Sequence, residues 1–373
     1  MNIKIVILGL SITSSWGNGH ATTYRALVKA LSARGHSVTF LERDVPWYRD
    51  NRDLQHPDYC KIGLYGSLTE LGCRYADVVR DADLVIVGSY VPDGIAIGDW
   101  TTARATGVTA FYDIDTPVTL AGLESGGVDY ISPGLIPRFD IYLSFSAGPA
   151  LGLVEDLYGS PLARSLYCSA DVPSHPVAPV PRKWSLGYLG TYSEDRQPAL
   201  DQMLMEPARR LGKQTFMVAG SKYPETIAWP DNVDLITHLP PSDHPEFYGL
   251  QRFTLNVTRS DMRALGFSPS VRMFEAAACG TPLISDDWPG IETVFKPGAE
   301  ILVASGARDV VEILSQLPED RRLTLAANAR ARLLKEHTPA HRATQLETYY
   351  REALSHGGRR KHSKRAIELE EAK

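Results

Sequence analysis

Cysteine is scarce in this chain. There are four in 373 residues, Cys60, Cys73, Cys168 and Cys279, widely scattered and without a CxxC pair. Neither a disulfide framework nor a thiolate zinc site is suggested, and the pattern fits a reducing compartment. No apolar run reaches the roughly 18 residues of a membrane-spanning helix, and residues 1–10 form an alternating apolar segment with one Lys rather than a signal-peptide pattern. A soluble, cytoplasmic protein is the expectation. A basic excess is also missing: the formal net charge is -5, which disfavours nucleic acid as a partner. What remains, 43% hydrophobic and 22% charged residues over 373 positions, suits a globular chain too long for one core. Two domains with a cleft between them are expected.

Residues 3–8 are a near-continuous apolar run ending at Gly9, as in a strand buried on both faces of a parallel sheet. The loop SITSSWGNGH, with Gly17 and Gly19, leads into a helical pattern carrying Leu27, Ala30 and Leu31, capped by Gly35, and then into a strand at 37–41. This is a unit of the doubly wound type, but the third glycine of the dinucleotide fingerprint is missing, so a substrate loop fits better than an NAD loop. Strands at 84–88, 108–112, 139–145 and 164–168 extend the sheet. Asp113 and Asp115 stand at the carboxyl end of one of them, where open α/β sheets bind ligands. They fit a catalytic carboxylate, a cap on the turn, or half of a metal site that has no third ligand nearby.

A proline-rich stretch, ADVPSHPVAPVP, has no apolar periodicity and is expected to be a linker. Beyond it the pattern restarts, with strands at 186–189, 215–219, 233–236, 253–257, 283–284 and 301–303, and helices from 309 to 354. The expected fold is α/β, two Rossmann-like domains facing each other across a cleft, with the C-terminal helices packing back toward the first. The expected boundaries are 1–168, a linker at 169–184, a second domain at 185–338, a crossover helix at 339–356, and a charged, disordered tail at 357–373. The tail holds five Lys or Arg between Arg359 and Arg365, a solvated end or a weak contact with an anionic membrane surface.

The stretch GFSPSVRMFEAAACGTPLISDDWPG, 266–290, carries the most chemistry. Ser268 suits an N-cap, Pro269 the first turn, Gly280 the C-terminal cap, and Pro282 stops the helix. Such a helix end presents the amides of Ser270, Val271 and Arg272, and the Arg272 charge, to a phosphate. Glu275 follows three residues on, on the same face, where a carboxylate suits a ribose diol. The same residues also fit an ordinary Arg–Glu pair on a surface helix.

FEAAACGTPLISDDWPG followed by Glu292 resembles the nucleotide-sugar signature of group-one glycosyltransferases of the GT-B class. With YDIDTPVTL, LGTYSEDRQPAL, FTLNVTR and SPSVRMFEAAACGTP, the chain is similar to the bacterial CgeB-like group over roughly residues 3–350. The resemblance implies transfer of a sugar from a nucleotide diphosphate sugar to an acceptor hydroxyl, without metal or other cofactor. It implies that Glu275 holds the donor ribose and that Ser270, Val271 and Arg272 meet the diphosphate. Gly190 and Arg196 match the first donor-domain loop and its basic residue, and His238 sits where relatives contact the base through backbone. Many retaining relatives carry an acidic residue eight positions before the ribose Glu; here it is Phe267. The catalytic group is then sought across the cleft, at His20, Asp113 or Asp115, with Gly17, Gly19, Tyr192, Arg259, Trp288 and Gly290 as further cleft candidates. A nucleotide-sugar epimerase or hydrolase, and a non-catalytic sugar-nucleotide binder, are the alternatives. The acceptor and oligomeric state are not legible.

Overall fold

The computed structural model describes residues 2–173 and 181–371, with side chains through residue 356. The first domain is built on β1 (Lys4–Gly9), β2 (Ser37–Arg43), β3 (Lys61–Tyr65), β4 (Leu84–Gly88), β5 (Val108–Asp113), β6 (Ile141–Ser144) and β7 (Ala163–Ser165), in the order β3-β2-β1-β4-β5-β6-β7. The second uses β8 (Trp184–Leu189), β9 (Phe216–Ala219), β10 (Val233–Ile236), β11 (Gln251–Asn256), β12 (Leu283–Ser285) and β13 (Leu302–Val303), in the order β10-β9-β8-β11-β12-β13. Every pairing is parallel. In each sheet the strand order reverses at the first strand of the half, between β1 and β4 and between β8 and β11, and a crevice opens at the carboxyl ends there. The fold class is the expected one.

Continuous burial explains why the strands are apolar throughout: β4 is fully buried, and β1 is exposed only at Lys4. β3 is absent from the expected set because KIGLY alternates weakly at a sheet edge. The helix expected over 200–212 is interrupted. Its middle, Asp201–Met205, has the wider π turn, just before Pro207, which has no amide to give a regular helical bond.

One apolar cluster runs from the first sheet through the helix His20–Ala33 to Met273, Phe274 and the C-terminal helix, so the two domains share a core. The last helix, Pro339–Glu371, extends past the expected boundary at 356 and packs on the first domain. Its Glu347 accepts hydrogen bonds from Arg34 at 2.6 and 2.8 Å and lies 2.8 Å from His36 Nε2; Arg164 reaches Glu352 at 2.9 Å. Residues 174–180 of the expected linker lie outside the described residues, as do the side chains of the basic cluster in the tail. No described helix is long and apolar enough to cross a membrane.

Candidate active site

The helix Val271–Cys279 starts two residues later than its sequence suggests. Ser270, not Ser268, holds the N-cap position, and its hydroxyl donates to Asn256 Oδ1 at 2.7 Å rather than capping its own helix. Ser268 is drawn away by Ser146 of the first domain at 2.6 Å and by the Gly266 carbonyl at 2.8 Å. By position the amides of Val271 and Arg272 have no acceptor within the helix and face the cavity at its N-terminus. Gly280, in a left-handed conformation, ends the helix as expected.

Arg272 is buried and held on three sides. Its Nη1 donates to Asn256 Oδ1 at 2.9 Å, its Nε donates to the Leu189 carbonyl, and its guanidinium lies 4.5 Å from the Tyr188 ring centroid. A side chain at Gly190 would put its Cβ 2.8 Å from Arg272 Nη2, so the glycine gives the arginine room to approach the loop. Glu275 does not pair with Arg272. Its Oε1 lies 2.9 Å from His244 Nδ1, and its Oε2 accepts from Tyr248 at 2.9 Å. Burial alone would push this carboxyl up. The His244 charge, the hydrogen bonds from His244 and Tyr248, and Arg272 outweigh it and hold Glu275 below the ordinary carboxylate range. Burial in turn works against charge on His244, and Glu275 overrides it, holding that imidazole above its ordinary value. Each carboxylate oxygen keeps a lone pair for a further donor.

Gly190, Arg196, His238, Ser270, Val271, Arg272 and Glu275 all line one interdomain cavity of about 310 Å³, and Gly17, Gly19, His20, Asp115 and Arg259 line it from the other side or across its mouth. Arg196 donates through Nη2 to the Thr191 carbonyl at 2.7 Å, while its Nε is buried with no partner among the described residues. His238 packs against Trp16 of the opposite loop, ring centroids 4.5 Å apart and planes tilted by 47°. Gly17 turns that loop with φ +57°. Arg259 spans the cleft, 3.3 Å from Asp115 and 3.3 Å from Asp195. Asp115 also accepts from Tyr90 at 3.0 Å. His20 opens its helix; burial pushes its imidazole down to about 4 against the pull of Asp115, and its Nδ1 has no partner among the described residues.

Several expected residues stand elsewhere. Asp113 is absent from the cavity lining: it accepts from the Tyr142 and Thr119 hydroxyls and the Asp115 amide, and burial pushes its carboxyl up to about 6 against those bonds. It ties the turn after β5 to its neighbours, the capping alternative of the sequence. Tyr192 packs toward Tyr223, Trp288 is in the shared core, and Gly290 opens the helix Ile291–Val294; none of the three lines the cavity. Phe267 has a left-handed φ of +51°, and its ring fills the space over Gly148 of the first domain and Gly290 of the second. The position where relatives carry a second carboxylate is thus an interdomain wedge.

The sequence missed His244 and Tyr248, although they stand four apart, one helical face, in HPEFY. Asn256 was also missed: it binds Ser270 and Arg272 through Oδ1 and Ser285 and Thr258 through Nδ2, fixing the helix N-terminus to the end of β11. Ser221, whose hydroxyl is buried and unpartnered among the described residues, lines the same cavity.

Residues 196–348 match a family model described as glycosyl transferase-like. Solved structures similar to the whole chain include sucrose-phosphate synthase from Thermosynechococcus elongatus, with a TM-score of 0.68, 14% identity, and coverage of 95% of this chain and 99% of that one. HepE from Anabaena in complex with UDP-glucose has the same score and identity, and again covers 95% and 99%. An α-glucosyltransferase in complex with UDP-glucose and DNA containing an abasic site reaches 0.70 at 13% identity, covering 94% and 100%. The chain has the GT-B fold, and its second half carries the match to the glycosyl transferase-like family. No curated protein matches the sequence. The family match begins at Arg196 and takes in the Glu275 cluster, so it covers most of the cationic wall and none of the wall that carries His20 and Asp115.

Proposed function

We propose that the enzyme moves a sugar from a nucleoside diphosphate sugar to an acceptor hydroxyl without a metal ion, and that it stands with the CgeB-like group. One observation carries the reading. Three buried polar atoms without protein partners among the described residues, Arg196 Nε, Ser221 Oγ and His20 Nδ1, lie on residues lining one cavity together with Arg272 and Glu275. Each such atom costs about 1–3 kcal/mol if left bare, which suits a cavity made for a polar, anionic ligand.

In the reaction the bond from the sugar C1 to the diphosphate oxygen breaks, the acceptor oxygen bonds to C1, and the acceptor proton passes to a base. Arg272, Arg196 and the amides of Val271 and Arg272 stabilise the departing diphosphate, the charge neutralisation a metal would otherwise supply. Glu275 receives the ribose hydroxyls, oriented by His244 and Tyr248. The base of the nucleotide lies along the backbone at His238. UDP is the first donor base to try, because HepE and the α-glucosyltransferase were solved with it. His20 is the better placed acceptor base: Asp115 is engaged by Tyr90 and Arg259, while His20 lines the cavity with an Nδ1 that has no partner among the described residues. A cytoplasmic setting, with nucleotide sugars at hand, fits this chemistry.

Product analysis with and without acceptor tests the proposal. Transfer product expected with acceptor, lost in Arg272→Ala, supports it; an epimerised nucleotide sugar, or free sugar alone under every condition, overturns it.

A further inference from the structure

A second groove opens on the first domain next to the cleft, between the segment after β4 and the segment before residue 131. Its walls are Tyr90, Asp93, Gly127, Val128, Asp129 and Tyr130. The Tyr90 and Tyr130 rings lie 4.6 Å apart and tilted by 41°, and the His20 ring lies 5.7 Å beyond Tyr90, so an aromatic row leads from the cavity to the groove. Tyr90 belongs to both places: its hydroxyl donates to Asp115 in the cavity, while its residue lines the groove. Tyr90 and Asp93 hold left-handed backbone, φ +62° and +58°, a conformation that bulky residues keep only where the surroundings enforce it and that clusters at ligand sites.

The charge of this face narrows the ligand. Residues 2–173 hold 19 Asp and Glu against 13 Lys and Arg. In the groove itself Asp93 is matched by Arg43, but Asp129 is exposed and makes no ion pair among the described residues. No Lys or Arg lines it. A phosphorylated, sulfated or nucleic-acid acceptor would meet a net negative lining there, with Asp129 unpaired among the described residues and Arg43 already engaged by Asp93. Tyr130 is buried and Tyr90 half-buried, and the aromatic surface they leave beside the exposed carboxylates of Asp93 and Asp129 suits the apolar face and hydroxyls of a sugar ring.

Resting on the transfer reaction proposed above, we infer that the acceptor is a neutral or amino-bearing saccharide of at least two residues, with its reacting hydroxyl in the cavity at His20 and its next ring in the groove at Tyr90, Tyr130 and Asp129. The cleft then takes the donor and the reacting ring, and the groove selects for length and against negative charge.

The test uses the full chain, the nucleotide sugar that most raises its melting temperature, and a panel of neutral, amino-bearing, phosphorylated and sulfated mono-, di- and trisaccharides, with products followed by mass. Neutral or amino-bearing disaccharides are expected to be taken with a KM at least tenfold below the matching monosaccharides, and anionic members to be refused. Asp129→Arg, an exposed change outside the donor cavity, is expected to raise the disaccharide KM five- to tenfold while leaving the donor KM and donor hydrolysis unchanged. Preference for anionic acceptors, equal KM for mono- and disaccharides, or an Asp129→Arg variant with unchanged disaccharide KM would overturn the inference. So would a donor that is bound and hydrolysed while no saccharide of the panel is glycosylated. A chain that neither binds nor consumes any nucleotide sugar instead removes the proposed reaction itself.

Discussion

The two walls of the cleft share a plan, the carboxyl ends of a parallel sheet, and differ in how their charges are held. On the second domain, Arg272 is fixed by Asn256, Leu189 and Tyr188, and Glu275 by His244 and Tyr248, all within one domain. On the first, Asp115 is tied across the cleft by Arg259, His20 carries a bare nitrogen, and Tyr90 and Asp93 hold left-handed backbone. On the second wall the Arg272 and Glu275 charges are fixed within the domain, and only Arg196 Nε and Ser221 Oγ are left without a partner among the described residues. On the first wall the Asp115 carboxylate takes its cationic partner, Arg259, from the opposite domain. In the proposed reaction a fixed cationic helix end would serve the phosphate common to nucleotide-sugar donors, and the loops of the first domain would meet the acceptor.

The comparison can be broken most forcefully at the rigid wall. Arg272→Ala should lower kcat by about 30- to 1,000-fold, the roughly 2–4 kcal/mol expected for losing one preorganised charge at a developing anion. Steady-state kinetics beside a melting curve checks it, and a variant that keeps near-normal turnover would remove the phosphate role. Glu275→Gln should weaken donor binding about 10- to 100-fold, because it replaces a charged acceptor in a buried network; titration calorimetry with the nucleoside diphosphate reads this directly. The His244–Glu275 pair adds a pH signature. A raised imidazole keeps its full contribution to stability below about 6.5 and loses it as pH rises through the raised value, so folding stability, read by chemical denaturation, should fall on the alkaline side.

On the first-domain wall the effect is gentler. With His20 held near 4 by burial, its neutral form persists on acidification, so kcat should stay level from pH 7 to about 5 and decline toward pH 4. An acid limb centred on the unperturbed value near 6.5, absent in His20→Gln, would mean the ring is solvated during turnover. The smallest expected effect lies outside the cleft, where the C-terminal helix returns to the first domain. Hydrogen bonds from Arg34, then His36, hold Glu347 down to about 2 against some burial. That contribution is present above about 4.5 and lost as pH falls through about 2; Glu347→Gln should cost about 1 kcal/mol at pH 7, discounted because Arg34 is partly exposed, and chemical denaturation measures it.

Much of the second-domain wall was legible because its signals are local. Gly280 and Pro282 end the helix, and Arg272 and Glu275 stand three apart on it whatever the tertiary fold. The clamp on Glu275 was not legible, since His244 and Tyr248 lie about thirty residues upstream and reach it only through packing. Ser268 looked like the cap because its interdomain partner, Ser146, is 122 positions away. On the first domain Asp113 and Asp115 were read as a pair, yet β5 ends at Asp113: that carboxyl turns into the protein, while Asp115, beyond the strand at the start of the helix Thr116–Glu124, lines the cavity. The groove at Tyr90 had no sequence signal, because left-handed backbone at a tyrosine is imposed by its neighbours.

The central claim is that the cavity between the two walls binds a nucleoside diphosphate sugar. A thermal-shift series with UDP, GDP, dTDP and CMP sugars tests it most directly, because a ligand at a hundred times its Kd stabilises the native state by about 2.7 kcal/mol. The melting temperature should rise by a few degrees with at least one diphosphate donor, and the rise should shrink in Arg272→Ala and Glu275→Gln. A melt unmoved by every donor, or moved equally in those two variants, would contradict the account.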